Sequence, residues 1–261
     1  MKIVIKVGTS TLAHATGKLN IRKTAELCRV ISDLKNAGNE VVLVSSGAIG
    51  MGVGKLGLQN KPADIPTKQA AAAVGQCELM YTYDRLFTEY SHTVAQILLT
   101  GSDFSAEDRH ENFTNTITRL LELGALPIVN ENDTIATEEI KVGDNDTLSA
   151  LVAVSVKGEL LVILSDVNGL YSADPHKAAD AKLIESVYGV TDETFEKAGG
   201  AGSALGTGGM KTKIKAAKIC TEAGCDVVIA NGENPDVLYD IVSGKQTGYT
   251  RFFCKAEKST I

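Results

Sequence analysis

The sequence has 261 residues, of which 44% are hydrophobic and 22% are charged, and its formal net charge is −6. This composition is that of a folded protein and excludes a disordered or fibrous chain. The negative charge and the lack of a Lys/Arg block argue against a general affinity for nucleic acid or anionic membranes. The length fits a single two-lobed α/β unit.

The cysteines and the N-terminus indicate the compartment. Five cysteines form no CxxC pair, which indicates reduced thiols rather than disulfides or a metal cluster. The apolar segment 1–7 is too short for a signal peptide, and no stretch reaches the length of a membrane span. We therefore expect a cytoplasmic protein that binds neither nucleic acid nor membrane.

After an opening strand over Lys2–Val7, a helical pattern closed by glycine and followed by a β-branched strand occurs four times. The predicted units are helix 22–37 with Gly38 and strand 41–44, helix 114–123 with Gly124 and strand 126–129, helix 147–157 with Gly158 and strand 160–164, and helix 211–223 with Gly224 and strand 227–230. Continuous apolar strands that alternate with helices predict an α/β fold, a three-layer αβα sandwich with a mostly parallel open sheet.

The segments that follow these strands are polar and glycine-rich. They are 6–10, 45–50, 130–133, 165–169 and 230–232. Ligands of open α/β sheets bind beyond the carboxyl ends of the strands, so these segments are the candidate site.

The segment 206–213, Gly-Thr-Gly-Gly-Met-Lys-Thr-Lys, places flexible backbone directly before a helix. Free N–H groups and the positive end of the helix dipole favour a phosphate there. Lysines in a first turn oppose the dipole, which favours recruitment of an anion over the alternative of a flexible loop with a basic turn. The segment is not a Walker A loop, because no Gly-Lys-Ser/Thr occurs in the chain.

A second glycine-rich segment, 52–57, matches GxGxxG and raises the alternative of a dinucleotide-dependent oxidoreductase. The context argues against it. The match begins several residues after the strand ends, and the residues about 20 positions further on are alanines rather than the acidic ribose ligand.

Charged residues at strand and helix ends complete the candidate chemistry. Lys6 lies in an apolar strand, where a lysine is costly unless it is paired with an anion; the alternative is a lysine that extends to solvent. Asp144 can cap the helix that follows it, but the second carboxylate, Asp146, needs another explanation. The spacing of the histidines supports neither a metal site nor a hydrolase triad.

Taken together, six segments in this order resemble the glutamate 5-kinase family of the amino-acid kinases, over nearly the whole chain. The segments are 6–10, 45–48, 130–133, 143–150, 165–171 and 206–213. The resemblance implies the amino-acid kinase fold and ATP-dependent phosphorylation of the γ-carboxylate of L-glutamate to L-glutamyl 5-phosphate, the first step of proline biosynthesis. It implies a substrate-binding lobe over 1–150 and a nucleotide-binding lobe over 151–261.

The resemblance also implies residue roles. Lys6 and Lys213 would stabilise charge on the transferring phosphoryl group, and Asp146 would organise the lysines or Mg²⁺, which the ATP phosphates mainly hold. Ser46, Asp133 and Asn145 would bind glutamate. The ATP site would comprise Lys6, Gly8, Gly47, Ser165, Asp166, Thr207, Gly208, Gly209, Met210, Lys211, Thr212 and Lys213.

The resemblance further implies a homo-oligomer, a dimer or tetramer, with feedback inhibition by proline. Many members continue into a C-terminal PUA domain; this chain stops near the end of the kinase domain, so we expect one domain over 1–261. Ser165 stands where a threonine is more usual. N-acetylglutamate kinase, aspartokinase and uridylate kinase activities, and a non-enzymatic metabolite sensor, are the alternatives on the same fold.

Overall fold

The computed structural model describes residues 1–14, 18–60, 62–135, 145–173, 178, 180–191, 194, 209–246 and 248–254. The strands are β1 (Lys2–Val7), β2 (Glu40–Ser45), β3 (Val94–Leu99), β4 (Leu126–Glu131), β5 (Leu160–Ser165), β6 (Ser186–Tyr188), β7 (Asp226–Asn231) and β8 (Thr250–Phe253). The helices are α1 (Thr9–Leu12), α2 (Ile21–Asn36), α3 (Ala48–Lys55), α4 (Ile65–Thr88), α5 (Gly101–Ser105), α6 (Glu107–Glu122), α7 (Asn145–Ser155), α8 (Met210–Glu222) and α9 (Val237–Val242).

The eight strands of the described residues form one sheet in the order β3-β4-β2-β1-β5-β7-β8-β6. The six strands from β3 to β7 in this order are parallel, β8 runs antiparallel to β7, and β6 runs parallel to β8. The predicted mostly parallel open sheet is confirmed. The carboxyl ends of the parallel strands therefore meet at one edge, where the polar segments follow them.

Helices cover both faces of the sheet, so the predicted αβα sandwich is also confirmed. In β1, Ile3 and Ile5 pack into the core formed with α2, α4 and α9, whereas Val4 packs into the core formed with α6, α7 and α8. Because side chains alternate along a strand, Lys6 lies on the same face as Val4. That face carries α7 and α8. In the described part of the chain, no helix combines the length and apolarity needed to cross a membrane.

Two predicted helix ends were wrong. The helix predicted over 114–123 begins earlier, at Glu107. Its first turn carries acidic residues, which are favoured at a helix N-terminus. The sequence did not reveal this start, because no apolar residue in the first turns marks the helical period. The helix predicted over 147–157 ends at Ser155, and Lys157, not Gly158, adopts the left-handed conformation with φ 54°. Gly158 instead allows a close approach, because a Cβ there would lie 3.2 Å from the Ala153 carbonyl oxygen.

The helices α3 and α4 cross in backbone contact, and two glycines permit this. A Cβ on Gly52 would lie 1.8 Å from the Ala71 carbonyl oxygen, and a Cβ on Gly75 would lie 1.8 Å from the Ala48 carbonyl oxygen. Gly57 follows α3 with φ 67°. The first and last glycines of the GxGxxG match therefore serve helix packing and helix termination.

We predict that Gly52→Ala and Gly75→Ala each destabilise the protein by about 1–3 kcal/mol or more, because the added methyl group forces the two helices apart. Gly50→Ala is the matched control in α3. Its Cβ would contact only Thr9 Cγ2, at 3.8 Å, and alanine favours a helix interior over glycine by about 0.5–1 kcal/mol. Urea unfolding measures all three; equal stability of the three variants would contradict the prediction.

Candidate active site

A buried cluster of charges lies at the carboxyl edge of the sheet. Lys6 Nζ lies 2.8 Å from Asp146 Oδ1, and Lys213 Nζ lies 3.1 Å from Asp146 Oδ2. The residues are 8%, 6% and 1% exposed for Lys6, Lys213 and Asp146. The structure thus brings together the three residues predicted to be catalytic, and we call them the charge triad.

Each member of the triad comes from the end of a different element. Lys6 is the penultimate residue of β1, while Asp146 and Lys213 lie in the first turns of α7 and α8. Thr212 steadies the arrangement, because its hydroxyl donates to Asp146 Oδ2 at 2.8 Å. The N-termini of two helices and the end of a central strand therefore meet at one carboxylate.

The triad combines two cations with one anion. Burial by itself raises the pKa of Asp146, but the charges of Lys6 and Lys213, with hydrogen bonds from Lys6 and Thr212, outweigh burial and hold that pKa below its usual value. Asp146 is then an anion between two cations. Two buried ammonium groups therefore flank one carboxylate, an arrangement of charges suited to binding an anion at this edge of the sheet.

Two of the predicted glycines, Gly47 and Gly8, lie at this edge, and each position favours glycine for a different structural reason. Gly47 caps α3 with φ 107°, which favours glycine. Gly8 has φ −85°, which any residue can adopt. A Cβ on Gly8 would lie 3.5 Å from Lys6 Nζ, so a side chain at this position would enter the space beside the ammonium group.

The start of α8 holds part of the predicted phosphate cradle. Gly209 caps the helix without a side-chain hydrogen bond, Met210 is buried, and Lys211 is exposed. The first turn therefore presents backbone donors and a basic surface, the combination that favours anions. Thr207 and Gly208, like Asp144, lie outside the described residues.

A second, uncharged cluster lies beside the triad. The Asn145 amide nitrogen donates to Ser46 Oγ at 2.7 Å and to Asn130 Oδ1 at 3.0 Å. Asn145 and Asp146 are consecutive in the first turn of α7, so this turn contributes one side chain to each cluster. The predicted substrate residues Ser46 and Asn145 are thus in direct contact.

The remaining predicted residues lie along the same edge. Ser165 ends β5, beside β1, and its hydroxyl donates to Asp166 Oδ1 at 3.1 Å. Ser165 is buried and Asp166 is exposed. Asp133 is half-buried in the turn after β4, three residues beyond Asn130.

The sequence did not point to Gln76, which the structure places in the uncharged cluster. Gln76 lies in α4, is 7% exposed, and accepts a hydrogen bond from the Asn130 amide nitrogen at 2.9 Å. Gln76 follows a run of alanines and belongs to no recognisable sequence motif. The only available signal was its polarity at a helix position flanked by small residues.

The triad has no free carboxylate oxygen with which to coordinate a metal ion directly. Both Asp146 oxygens are engaged by cations, and within the described ranges no three His, Cys, Asp or Glu side chains are grouped to hold a metal. The residues fit a metal ion that arrives with a phosphate ligand better than one held by protein carboxylates.

Comparison with known proteins identifies the family. The model of the amino acid kinase family matches residues 1–231. Glutamate 5-kinase of Clostridium perfringens is 54% identical over 258 residues, covering 97% of this chain and 96% of that protein. Glutamate 5-kinase of Caldanaerobacter subterraneus is 53% identical over 250 residues, covering 96% of this chain and 67% of that protein.

The fold is shared more widely. Carbamate kinase from Giardia lamblia bound to AMP-PNP superposes with a TM-score of 0.70 at 17% identity, covering 97% of this chain and 98% of that chain. From the family model and from more than half identity over almost its full length, the chain belongs to the amino acid kinase family and, within it, to the glutamate 5-kinase family.

Proposed function

We propose that this protein transfers the γ-phosphoryl group of ATP to the γ-carboxylate of L-glutamate, forming L-glutamyl 5-phosphate for proline biosynthesis. The charge triad is the observation that carries the proposal, because it places two buried lysines at the edge of the sheet where an anionic phosphoryl group would bind. The uncharged cluster beside the triad provides hydrogen-bonding groups that would bind an amino acid. In addition, relatives more than 50% identical to this chain are glutamate 5-kinases.

The reaction needs no general base. A glutamate γ-carboxylate has a pKa of about 4.3, so at neutral pH it is already an anion able to attack phosphorus. One carboxylate oxygen forms a bond to the γ-phosphorus while the bond from that phosphorus to the β,γ-bridging oxygen breaks, and ADP leaves.

The principal barrier is repulsion between two anions, and the two lysines oppose it. Lys6 and Lys213 would stabilise the charge on the phosphoryl oxygens, each gaining about 4 kcal/mol at 4 Å and an effective dielectric constant near 20. Asp146 would keep both ammonium groups oriented. Mg²⁺ held by the ATP phosphates would supply further charge neutralisation.

The other predicted residues divide between the two substrates. Ser46, Asn145 and Asp133 would hold glutamate on the side of β2 and β4. Gly8 and Gly47 would allow close approach of the phosphates. Ser165, Asp166 and the segment 207–213 would bind ATP on the side of β5 and α8, which corresponds to lobes over 1–150 and 151–261. We further propose a cytoplasmic homo-oligomer that proline inhibits.

The proposed reaction is tested by trapping its product. Hydroxylamine converts an acyl phosphate to a hydroxamate, so we expect ATP-dependent hydroxamate from L-glutamate and none from N-acetylglutamate or aspartate. Hydroxamate from N-acetylglutamate or aspartate in preference to glutamate would assign one of the alternative kinase activities. No hydroxamate from any of the three acids would favour a metabolite sensor.

For the lysines, we predict that Lys6→Ala and Lys213→Ala lower kcat by about 100- to 1,000-fold and change KM for glutamate much less, because their charge acts mainly in the transition state. Lys218→Ala is the control, an exposed lysine on the same helix as Lys213. Steady-state kinetics measure all three variants. A kcat equal to wild type in either triad variant would reject the assignment.

For Asp146, we predict that Asp146→Asn lowers the free energy of unfolding at pH 7 by about 3–5 kcal/mol, because it removes the negative charge that lies between two buried cations. The folded-state pKa of Asp146 is depressed, so its contribution is complete above the unfolded pKa of about 3.9 and is lost as the pH falls through the folded pKa. The stability difference between wild type and Asp146→Asn should therefore persist from pH 7 to 5 and shrink below about pH 4.

Urea unfolding across this pH range makes the measurement. Asp84→Asn, which alters an exposed carboxylate of α4, is the control and should show no such difference. A difference for Asp146→Asn that is absent at pH 7, or that stays constant down to pH 3, would contradict the role of the carboxylate.

A further inference from the structure

Three amide side chains form a chain of hydrogen bonds from α4 to α7, which we call the amide relay. The Asn145 nitrogen donates to Asn130 Oδ1 at 3.0 Å, and the Asn130 nitrogen donates to Gln76 Oε1 at 2.9 Å. One end of the relay, Asn145, is next to Asp146 in the charge triad. The other end, Gln76, is separated from Asn145 by two hydrogen bonds along the relay.

Backbone groups fix the orientation of two amides in the relay. The backbone N–H of Glu131 donates to Asn130 Oδ1 at 2.9 Å, so that atom must be the oxygen. The Ser45 carbonyl accepts from the Asn145 side chain at 3.3 Å, so the group facing it must be the NH₂. Since Asn130 then presents its NH₂ to Gln76, the glutamine amide is oriented as well.

This orientation leaves one donor and one acceptor in excess. Gln76 Nε2 and Asn145 Oδ1 are buried and have no hydrogen-bond partner among the described residues. Buried polar groups in folded proteins are nearly always satisfied, so two unsatisfied groups at the ends of one network call for a ligand. The ligand must bring an acceptor to Gln76 and a donor to Asn145.

An α-amino acid carries this pair of groups on one carbon. Its carboxylate accepts hydrogen bonds and its ammonium group donates them. The γ-carboxylate that reacts has to lie toward the charge triad, so the carboxylate at the far end of the relay is the α-carboxylate.

We propose that Gln76 is a substrate-specificity residue whose Nε2 donates a hydrogen bond to the α-carboxylate of the acceptor amino acid. Asn145 Oδ1 accepts from the α-ammonium group at the other end of the relay. This inference rests on the proposed function, because it assumes that the acceptor is glutamate. The inference explains how an uncharged cluster recognises a zwitterion. Backbone groups fix the orientation of the amides, so that the Gln76 end of the relay donates a hydrogen bond and the Asn145 end accepts one.

The test exchanges the polarity of the Gln76 side chain. Gln76→Glu keeps an oxygen for the Asn130 amide to donate to but replaces the NH₂ group with an acceptor. Gln76→Met keeps the approximate volume and removes both polar groups. Each variant is assayed with L-glutamate and with its α-amide, which retains the reacting γ-carboxylate, at pH 8.5 so that an introduced carboxyl group is ionised.

We expect Gln76→Glu to lower kcat/KM for L-glutamate by about 10- to 100-fold, mainly through KM, because a hydrogen bond to a charged group is lost and replaced by repulsion. The α-amide has an NH₂ group to donate to the new carboxylate, so its kcat/KM should fall little or rise. The ratio of the two substrates should therefore shift by at least about tenfold, with KM for ATP unchanged. Gln76→Met should lower the preference for glutamate without creating a preference for the α-amide.

A loss of activity that is equal for both substrates would assign Gln76 a structural role and overturn the inference. Thermal unfolding reports whether each variant folds; if Gln76→Glu does not, an unchanged substrate ratio in Gln76→Met overturns the inference. Wild-type protein that forms no hydroxamate from glutamate would overturn the proposed function together with this inference. Normal wild-type activity with an unshifted ratio in the variants would overturn this inference alone.

Discussion

The carboxylate of Asp146 is the constraint on which the rest of the site depends. Two lysines from distant parts of the chain, Lys6 and Lys213, would repel each other in a buried space, and the carboxylate between them makes their proximity stable. It ties the central strand β1 to the first turns of two helices on one face of the sheet. A phosphate that binds here meets cations already in position, so little reorganisation accompanies the development of charge during transfer.

The first turn of α7 joins the charge triad to the uncharged cluster that we propose binds the acceptor. Asn145 and Asp146 are neighbours, yet one joins the uncharged cluster with Ser46 and Asn130 while the other joins the lysines. Because one helical turn holds both side chains, under the proposed roles the helix itself would place the acceptor carboxylate relative to the phosphoryl group. Sites built on helices and strands hold such geometry more closely than sites on loops.

The sequence predicted the part of the fold that depends on local pattern. The opening strand and four helix–strand units were recovered because apolar periodicity and terminal glycines mark them. For Lys6 the sequence left two alternatives open, and the structure shows the one in which the lysine is paired with a buried anion. The long helix α4 was not predicted, since its alanine-rich surface shows no clear apolar stripe, although Asp64 caps it. The contact of Gln76 with Asn130 spans 54 residues and requires the packing of α4, which no local pattern encodes.

That packing explains why a specificity residue can lie on a helix remote from the phosphate loops. Gly75 directly precedes Gln76 and lies against the backbone of α3 at Ala48, the residue after Gly47 in the loop beyond β2. One of the two equally close backbone contacts between α3 and α4, that of Gly75 with Ala48, is therefore adjacent to the end of the amide relay. Hydrogen bonds lose strength steeply with misplacement, so the polarity of the relay is useful only if α4 is held at a fixed distance from β4. Backbone contact through Gly75 fixes α4 against the start of α3, directly after β2, more closely than flexible side chains could. A packing requirement of the fold thereby positions Gln76, which we propose recognises the acceptor.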